Sequence, residues 1–206
     1  MKLKEIKLIL LDVDGVLIDS KLNMKMSWDK LKSDNYVKKP FSEYFKRIGT
    51  SFENILLDMG IKKNISKIEK EYFKNSLKYR NKIRVYKTVN KTLIDLQKRF
   101  KLGIVTSKKK KNTVFFLKKF FPLVDFDIIC SPTPKYKSKP RPDLLNLAFR
   151  KLKIKSIHSL YVGDTLNDLL ASKRAKTKFI YAKYGYNNKL KTKFKLRKFS
   201  DILNSL

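Results

Sequence analysis

The alternation of short apolar runs with segments of helical periodicity constrains the fold of this chain most strongly. Five runs end in polar or small residues and have the continuous apolar character of strands buried on both faces: residues 6–11, 102–105, 126–130, 160–162 and 178–181. Helical patterns separate the later runs, for example at Val89, Leu93 and Leu96, and a further helix is predicted over residues 199–206. This order predicts an α/β protein with a doubly wound, Rossmann-like parallel sheet.

The segment from about residue 20 to residue 84 breaks this rhythm. It contains no convincing strand and carries three successive sets of apolar residues at helical spacing: Phe41, Tyr44, Phe45 and Ile48; Phe52, Ile55, Leu56 and Met59; Ile65, Ile68 and Tyr72. We therefore expect a small helical cap domain over residues 19–84, inserted into a catalytic core formed by residues 1–18 and 85–206.

The charge of the chain raises the question of a nucleic-acid partner, because the formal net charge is +32 at pH 7. Lysine supplies most of the positive charge and is scattered over the whole length, whereas bidentate recognition of phosphates favours arginine. We interpret the excess as compositional drift on solvated faces, of the kind that adenine- and thymine-rich genomes produce. Nucleic acid is therefore not an expected partner, and the chain is expected to be a monomer or a weak dimer.

The apolar content of 42% is sufficient for a packed core but is not arranged for a membrane. No apolar run approaches the roughly eighteen residues of a membrane-spanning helix, and residues 8–11 are too few for the core of a signal peptide. The one cysteine, Cys130, permits no internal disulfide and fits a reducing compartment. These features predict a cytoplasmic protein without a membrane partner.

Polar residues follow the predicted strands at the carboxyl edge of the sheet, which is where ligands bind in open α/β folds. The first strand runs into Asp12, Asp14 and Gly15, and the second into Thr106, Ser107 and Lys108. The loop after the third strand leads to Lys139, and the fourth strand is followed by Asp164 and Asp168. The sequence thus predicts one site at this edge that contains several carboxylates.

Carboxylates that converge in this way repel one another, and burial raises their pKa values unless a cation lies between them. Carboxylate oxygens suit Mg²⁺, which commonly bridges protein carboxylates to a substrate phosphate. The sequence has no cluster of cysteine and histidine that would favour zinc. We therefore expect Mg²⁺ as the cofactor.

Four motifs, in this order, resemble the signature of the haloacid dehalogenase superfamily: DVDGV at 12–16, IVTS at 104–107, KPRPD at 139–143 and GDTLND at 163–168. They span nearly the whole chain. Together with the later Tyr184-Gly185-Tyr186, the last two motifs are similar to those of the phosphoglycolate phosphatase-like group.

The resemblance implies a catalytic role for several of these residues. Asp12 would be the nucleophile that forms an aspartyl-phosphate, and Asp14 would protonate the leaving oxygen and later activate water. The metal ligands would be Asp12, the backbone carbonyl of Asp14 and the carboxylate of Asp164, with Asp168 acting through water or a neighbouring ligand. Thr106 would hold phosphoryl oxygens and Lys139 would neutralise them.

Four further residues are expected to contact the substrate. Gly15 would permit the turn after the nucleophile, and Ser107 and Lys108 lie at the sheet edge. Thr50 belongs to the stretch 48–51, which resembles a substrate-specificity loop of the cap.

The expected function is that of a phosphatase acting on a small phosphomonoester, with phosphoglycolate, sugar phosphates and nucleoside monophosphates as open alternatives. A β-phosphoglucomutase-like phosphomutase shares the nucleophile, the metal and the cap, but sugar phosphomutases usually carry a different acidic motif in place of GDTLND. A catalytically idle cationic binding protein is the third alternative. Retention of Asp12, Asp14, Thr106, Lys139, Asp164 and Asp168 argues against it, because binding alone needs no such set.

Overall fold

The computed structural model describes residues 5–187 and 189–206, and it contains a central parallel sheet. The strands are β1 (Leu8–Leu11), β2 (Ile18–Asp19), β3 (Arg84–Val85), β4 (Lys101–Val105), β5 (Ile128–Cys130), β6 (Ser159–Gly163), β7 (Lys178–Ala182) and β8 (Lys195–Leu196). Six of them form a sheet in the order β5-β4-β1-β6-β7-β8, in which every pairing is parallel. β2 and β3 form a separate antiparallel pair.

Eight α-helices connect these strands within the described residues. They are α1 (Lys21–Ser33), α2 (Phe41–Phe45), α3 (Phe52–Asp58), α4 (Ile65–Lys78), α5 (Val89–Gln97), α6 (Lys110–Phe120), α7 (Asp143–Leu152) and α8 (Leu166–Arg174). Three 3-10 helices lie at Arg80–Lys82, Ser156–His158 and Phe199–Ser205. None of the described helices is long and apolar enough to cross a membrane.

The central sheet is covered on both faces, as the continuous apolar strands require. Along β1, Ile9 and Leu11 pack into one core cluster with side chains of α5 and α6 and of the 3-10 helix Phe199–Ser205. The alternate residues Leu8 and Leu10 pack into a second cluster with side chains of α7 and α8. This alternation follows from the two-residue period of a strand, and it buries β1 completely at the centre of the sheet.

The helices α1 to α4 bury a core of their own, which is rich in aromatic residues. Trp28 of α1 is fully buried and stacks on Tyr44 of α2 with 4.6 Å between the ring centroids. Leu56 of α3 and Ile68 of α4 complete this cluster. The antiparallel pair β2–β3 joins the two ends of the helical segment, so the chain leaves and re-enters the sheet region at neighbouring points.

The predicted fold class and all five predicted strands are confirmed, with ends that differ by one or two residues. The sequence did not predict the two-residue strands β2 and β3, the second of which begins at the end of the segment expected to contain no strand. It also did not predict β8, a two-residue edge strand whose first residue, Lys195, is exposed. It also missed α1, where lysines and polar residues interrupt the apolar positions Met24, Trp28 and Leu31. The predicted terminal helix is a 3-10 helix, Phe199–Ser205.

Candidate active site

The carboxyl ends of the three central strands place the predicted site residues beside one another. β1 pairs with β4 on one side and β6 on the other. Asp12 directly follows β1, and its backbone N–H donates to the carbonyl of Val162 in β6 at 3.0 Å. Thr106 follows β4 and Asp164 follows β6. The topological switch of the sheet therefore lies at Asp12, as expected for a ligand site in a doubly wound fold.

A buried lysine lies between two of the carboxylates. The Nζ atom of Lys139 is 2.8 Å from Oδ2 of Asp12 and 2.6 Å from Oδ1 of Asp168. Lys139 is 1% exposed and is the only buried lysine in the described part of the chain, whereas its neighbours Lys135 and Lys137 are exposed. The structure thus separates Lys139 from the solvated lysines around it.

Both carboxylate oxygens of Asp168 accept hydrogen bonds. Its Oδ1 accepts from Lys139 and from the hydroxyl of Tyr161, each at 2.6 Å. Its Oδ2 accepts from the backbone N–H of Thr165 at 2.9 Å and from the Thr165 hydroxyl at 2.5 Å. Thr165 and Asp168 form a capping box at the start of α8. The first turn of this helix therefore both fixes the position of Asp168 and donates hydrogen bonds to its carboxylate.

Asp164 is fully buried, and one of its oxygens has no hydrogen-bond partner among the described residues. Its Oδ2 accepts the backbone N–H of Tyr186 at 2.7 Å, while no described group hydrogen-bonds to Oδ1. Two glycines allow this packing. A Cβ on Gly15, where φ is +82°, would lie 2.1 Å from Oδ2 of Asp164, and a Cβ on Gly185 would lie 2.4 Å from its Cβ. Gly15 therefore contacts Asp164, and it is not among the residues that line the cavity described below.

The electrostatics of the cluster favour a cation. Burial, with the charge of Asp168, raises the pKa of Asp12 to about 6 even though Lys139 opposes the shift. Burial and the neighbouring Asp168 and Asp12 raise the pKa of Asp164 well above its ordinary value. Burial also acts on Asp168, but Lys139 and the hydrogen bonds from Thr165 and Tyr161 lower its pKa. Since one ammonium faces three acidic side chains, a further cation beside Asp12 and Asp164 would stabilise their ionised forms.

The residues present fit a divalent ion. One carboxylate oxygen from each of Asp12, Asp164 and Asp168 lies within 4.8 Å of the others, and this buried triad could bind a metal. Oδ1 of Asp164, which no described group hydrogen-bonds, is a buried ligand atom of the kind that a metal ion satisfies. Both oxygens of Asp168 are already held by protein donors, which makes Asp12 and Asp164 the better direct ligands.

Asp14, the fourth predicted metal residue, is not part of that triad. Its Oδ1 accepts the hydroxyl of Ser20 at 2.5 Å, and its Oδ2 lies 3.1 Å from Nζ of Lys108. The side chain of Asp14 lines the cavity, so only its backbone carbonyl is left for the metal role that the family resemblance implies.

The loop after β4 brings Thr106, Ser107 and Lys108 to the same edge. All three line the cavity. The Thr106 hydroxyl is buried and accepts the backbone N–H of Lys108 at 3.3 Å, and it does not cap α6, which begins at Lys110. These residues form a polar turn against Asp12 and Asp14.

A cavity of about 820 Å³ lies between the sheet edge and the helical segment. Its core side includes Asp12, Thr106 and Lys139, and its other side includes aromatic residues such as Tyr44 and Tyr72. The predicted substrate residue Thr50 also lines the cavity.

Polar contacts join the two sides of this cavity. The hydroxyls of Thr50 and Ser138 are 3.2 Å apart, and the Asn54 amide donates to Ser138 at 3.3 Å. Ser107 donates to the carbonyl of Gly49 at 3.1 Å. The stretch 48–51 is therefore seated on the core.

Sequence reasoning missed three residues that hold the carboxylates in place. The Ser20 hydroxyl donates to Asp14, and the backbone N–H of Tyr186 donates to Asp164. The Tyr161 hydroxyl donates to Asp168. A tyrosine within an otherwise apolar buried strand was the available signal for Tyr161, because a buried hydroxyl needs a partner. Ser20 carries no local signal, and Tyr186 was noted only as part of a motif.

Comparisons with known proteins agree with this geometry. The family model for haloacid dehalogenase-like hydrolases matches residues 9–182. The phosphoglycolate phosphatase of Aquifex aeolicus is 28% identical over 190 residues, which cover 87% of this chain and 86% of that relative. The pyrophosphatase PpaX of Bacillus pumilus is 29% identical over 206 residues, which cover 96% and 95%, respectively.

Solved structures agree with the fold. CbbY from Rhodobacter sphaeroides in complex with phosphate matches with a TM-score of 0.83 at 18% identity, over 96% of each chain. A hydrolase from Pseudomonas syringae matches with a TM-score of 0.83 at 20% identity, over 97% of this chain and 96% of that one. At these identities the likeness establishes the architecture and leaves the chemistry to the residues of the site.

Proposed function

Since the chain belongs to the haloacid dehalogenase-like hydrolases, we propose that it is a Mg²⁺-dependent phosphatase that hydrolyses a small phosphomonoester through an aspartyl-phosphate on Asp12. One observation carries this proposal. The carboxylate of Asp12 lines the cavity while Lys139 and the metal-competent Asp164 lie around it. Such a carboxylate can reach a phosphorus atom that enters from the cavity.

The proposed reaction has two displacements. A carboxylate oxygen of Asp12 attacks phosphorus, the bond from phosphorus to the ester oxygen breaks, and Asp14 gives its proton to the departing alcohol. Water then attacks the phosphorus of the aspartyl-phosphate, Asp14 takes a proton from that water, and inorganic phosphate leaves as the Asp12 carboxylate is restored. Each cycle therefore begins with a protonated Asp14 and an ionised Asp12.

The remaining residues bind and orient the phosphoryl group. Thr106 and Lys108 line the cavity and would donate to its oxygens. The Ser107 hydroxyl would have to turn from the carbonyl of Gly49, to which it now donates, before it could bind them. Lys139, whose Nζ lies 2.8 Å from Asp12, would offset the charge of Asp12 and of the transferring group. When bound by Asp12, Asp164 and the carbonyl of Asp14, Mg²⁺ supplies positive charge that offsets the charge of the phosphoryl oxygens.

Residues 19–84 form the proposed cap over the core of residues 1–18 and 85–206. The contacts of the stretch 48–51 with Ser107 and Ser138 support this division, because they cross the cavity at the sheet edge. A seated cap excludes bulk water from Asp12 and selects the substrate. Thr50 is the cap residue that we place against the substrate, while Gly15 acts by letting the loop after Asp12 approach Asp164.

The candidate substrates are phosphoglycolate-like acids, sugar phosphates and nucleoside monophosphates. Relatives of this chain carry the names phosphoglycolate phosphatase and pyrophosphatase, which adds inorganic pyrophosphate to the compounds worth testing. The cavity of about 820 Å³ has room for any of these compounds.

The test is phosphate release from this panel of compounds with Mg²⁺, compared between the native protein and Asp12→Asn. We expect metal-dependent release that the substitution abolishes and that a chelator removes. Asp29→Asn is the matched control, because Asp29 is exposed on α1 and its ion pair among the described residues is with Lys25. Interconversion of sugar phosphates without net release would favour a phosphomutase, and salt-sensitive nucleic-acid binding without turnover would favour a binding protein.

A further inference from the structure

Tyr186 is hydrogen-bonded to Asp164 and is linked through Ser20 to Asp14. Its backbone N–H donates to Oδ2 of Asp164 at 2.7 Å. Its hydroxyl lies 2.7 Å from the backbone nitrogen of Ser20 and 2.9 Å from the Ser20 hydroxyl. Ser20 in turn donates its hydroxyl proton to Oδ1 of Asp14 at 2.5 Å. A chain of hydrogen bonds thus runs from Tyr186 to Asp14.

The number of available protons determines which group is the donor in each of these hydrogen bonds. Ser20 has one hydroxyl proton, which it donates to Oδ1 of Asp14. Oδ1 remains an acceptor in the protonated state of Asp14 as well, when the proton that Asp14 transfers is on Oδ2. The Ser20 oxygen must therefore accept from Tyr186, whose own oxygen accepts from the Ser20 backbone N–H. Two hydroxyls in series polarise each other, so the donor that faces Asp14 is stronger than an isolated serine.

Tyr186 is itself held firmly between the core and the helical segment. Its ring packs against Phe45 of α2 with 5.4 Å between the centroids. Two residues earlier, the hydroxyl of Tyr184 donates to the carbonyl of Val16 at 2.8 Å. Gly185 between them lies so close to the carbonyl of Gly15 that an added Cβ would be 2.4 Å away. The segment 184–186 is therefore pressed against the loop that carries Asp14.

We propose that Tyr186 is a positioning residue for the acid–base step, and that its hydroxyl acts through Ser20 to hold the carboxyl group of Asp14 toward the leaving oxygen. The inference rests on the proposed function, in which Asp14 protonates the departing alcohol. Without the tyrosine hydroxyl, Ser20 can rotate to a different acceptor, which leaves Asp14 with its contact to Lys108 among the described side chains. Proton transfer is sensitive to such a loss of alignment.

Tyr186→Phe tests this role cleanly. The substitution removes the hydroxyl but keeps the ring that packs on Phe45 and the backbone N–H that holds Asp164. The readout is the ratio of kcat/KM for an alkyl phosphate, such as glycerol phosphate, to kcat/KM for p-nitrophenyl phosphate. An alkoxide needs a proton to leave, whereas p-nitrophenolate does not. We expect a loss of about tenfold with the alkyl phosphate and little change with p-nitrophenyl phosphate.

Tyr184→Phe is the matched control. It also removes one tyrosine hydroxyl from a hydrogen bond to the 14–20 loop, but that bond ends on the carbonyl of Val16 and has no path to Asp14. We expect its kcat/KM ratio to equal that of the native protein. Thermal unfolding of both variants shows whether the fold is retained.

Ser20→Ala is a second test of the link between Tyr186 and Asp14, because it removes the hydroxyl that lies between them. It should show the same selective loss, and adding Tyr186→Phe should cost no further activity, since the two residues act in series. If Tyr186→Phe does not fold, the absence of a selective loss in Ser20→Ala would by itself overturn the role of Tyr186, because the tyrosine hydroxyl is linked to Asp14 through Ser20.

The outcomes separate this inference from the proposed function. Equal loss on both substrates in the variants, or losses that add in the double variant, would overturn the role of Tyr186 while native turnover leaves the phosphatase proposal intact. Absence of native turnover, or turnover that survives in Asp12→Asn, would overturn the proposed function and this inference with it.

Discussion

Asp168 accepts a hydrogen bond of 2.6 Å from the ammonium group of Lys139 in the interior of the protein, where the two side chains are 0% and 1% exposed. Burial lowers the stability of a charged lysine, yet Asp12 and Asp168 hold the pKa of Lys139 above its ordinary value. The two residues therefore stabilise each other as ions, and the folded state depends on the pair remaining complete.

Lys139→Met should destabilise the metal-free protein and abolish phosphate release. The substitution leaves Asp12 and Asp168 buried without their cation, and removing one partner of a buried ion pair typically costs about 3–5 kcal/mol. Urea unfolding measures this loss. Lys137→Met is the control, because Lys137 is exposed and should change the free energy of unfolding by less than about 0.5 kcal/mol. Equal effects of the two variants would contradict the role of the buried pair.

The fold was predictable because its strands carry their own signal. A strand covered on both faces must be apolar throughout, and the central strands β1, β4 and β6 fit that description. The edge strand β8 has only Leu196 buried, which is too little to stand out in a sequence. The resemblance to the haloacid dehalogenase superfamily, stated from four motifs, is confirmed by the family match over residues 9–182.

The sequence predicted those site residues whose location follows from their position at the end of a strand. Residues that follow parallel strands meet at one edge, so the nearness of Asp12, Asp164 and Thr106 follows from the topology. The partners of these residues do not. Ser20 and Tyr186 are 166 positions apart and meet only because β7 lies two strands from β1 in the folded sheet. Contacts of that kind have no signature in a single sequence.

Mg²⁺ should raise the melting temperature more at about pH 8 than at about pH 5. Burial raises the pKa of Asp12 to about 6, so below that pH the folded protein holds a proton where the ion binds. In the metal-free protein, the free energy of unfolding falls as the pH rises from the ordinary pKa of an aspartate toward about 6. In this range the unfolded chain has already released the proton of Asp12, whereas the folded protein still holds it. Mg²⁺ relieves that penalty, and scanning calorimetry with and without the ion measures the difference.

Asp164→Asn is the control for this pH dependence. It removes the buried carboxylate whose Oδ1 has no partner within residues 5–187 and 189–206, so the ion loses a ligand at every pH. The stabilisation by Mg²⁺ should then be small at both pH values. A native protein whose Mg²⁺ stabilisation is the same at both pH values would contradict the assignment of Asp12 to the metal site.

Gly15→Ala should be far more harmful than Gly60→Ala, although both glycines have positive φ, +82° and +78°. A Cβ at residue 60 meets nothing within 4 Å, so this variant should lose only the roughly 1 kcal/mol that a side chain costs in the left-handed region. A Cβ at residue 15 would lie 2.1 Å from Oδ2 of Asp164. We expect a larger loss of stability and, in calorimetry, a loss of stabilisation by Mg²⁺. Similar behaviour of the two variants would show that the loop can move away from Asp164.

Lys176→Gly should stabilise the protein without changing phosphate release. Lys176 follows the last residues of α8 with a φ of +53° and is exposed. Its N–H donates to the carbonyl of Lys173, and that of Thr177 donates to Ser172, so the chain closes the helix in the manner that favours glycine. Relief of the left-handed strain should raise the free energy of unfolding by about 0.5–1 kcal/mol.

Lys173→Gly is the matched control, because this exposed lysine lies inside the last turn of α8 and glycine there should cost about 1 kcal/mol. Urea unfolding of both variants decides the point, and destabilisation by both would mean that the side chain of Lys176 contributes more than its backbone conformation costs.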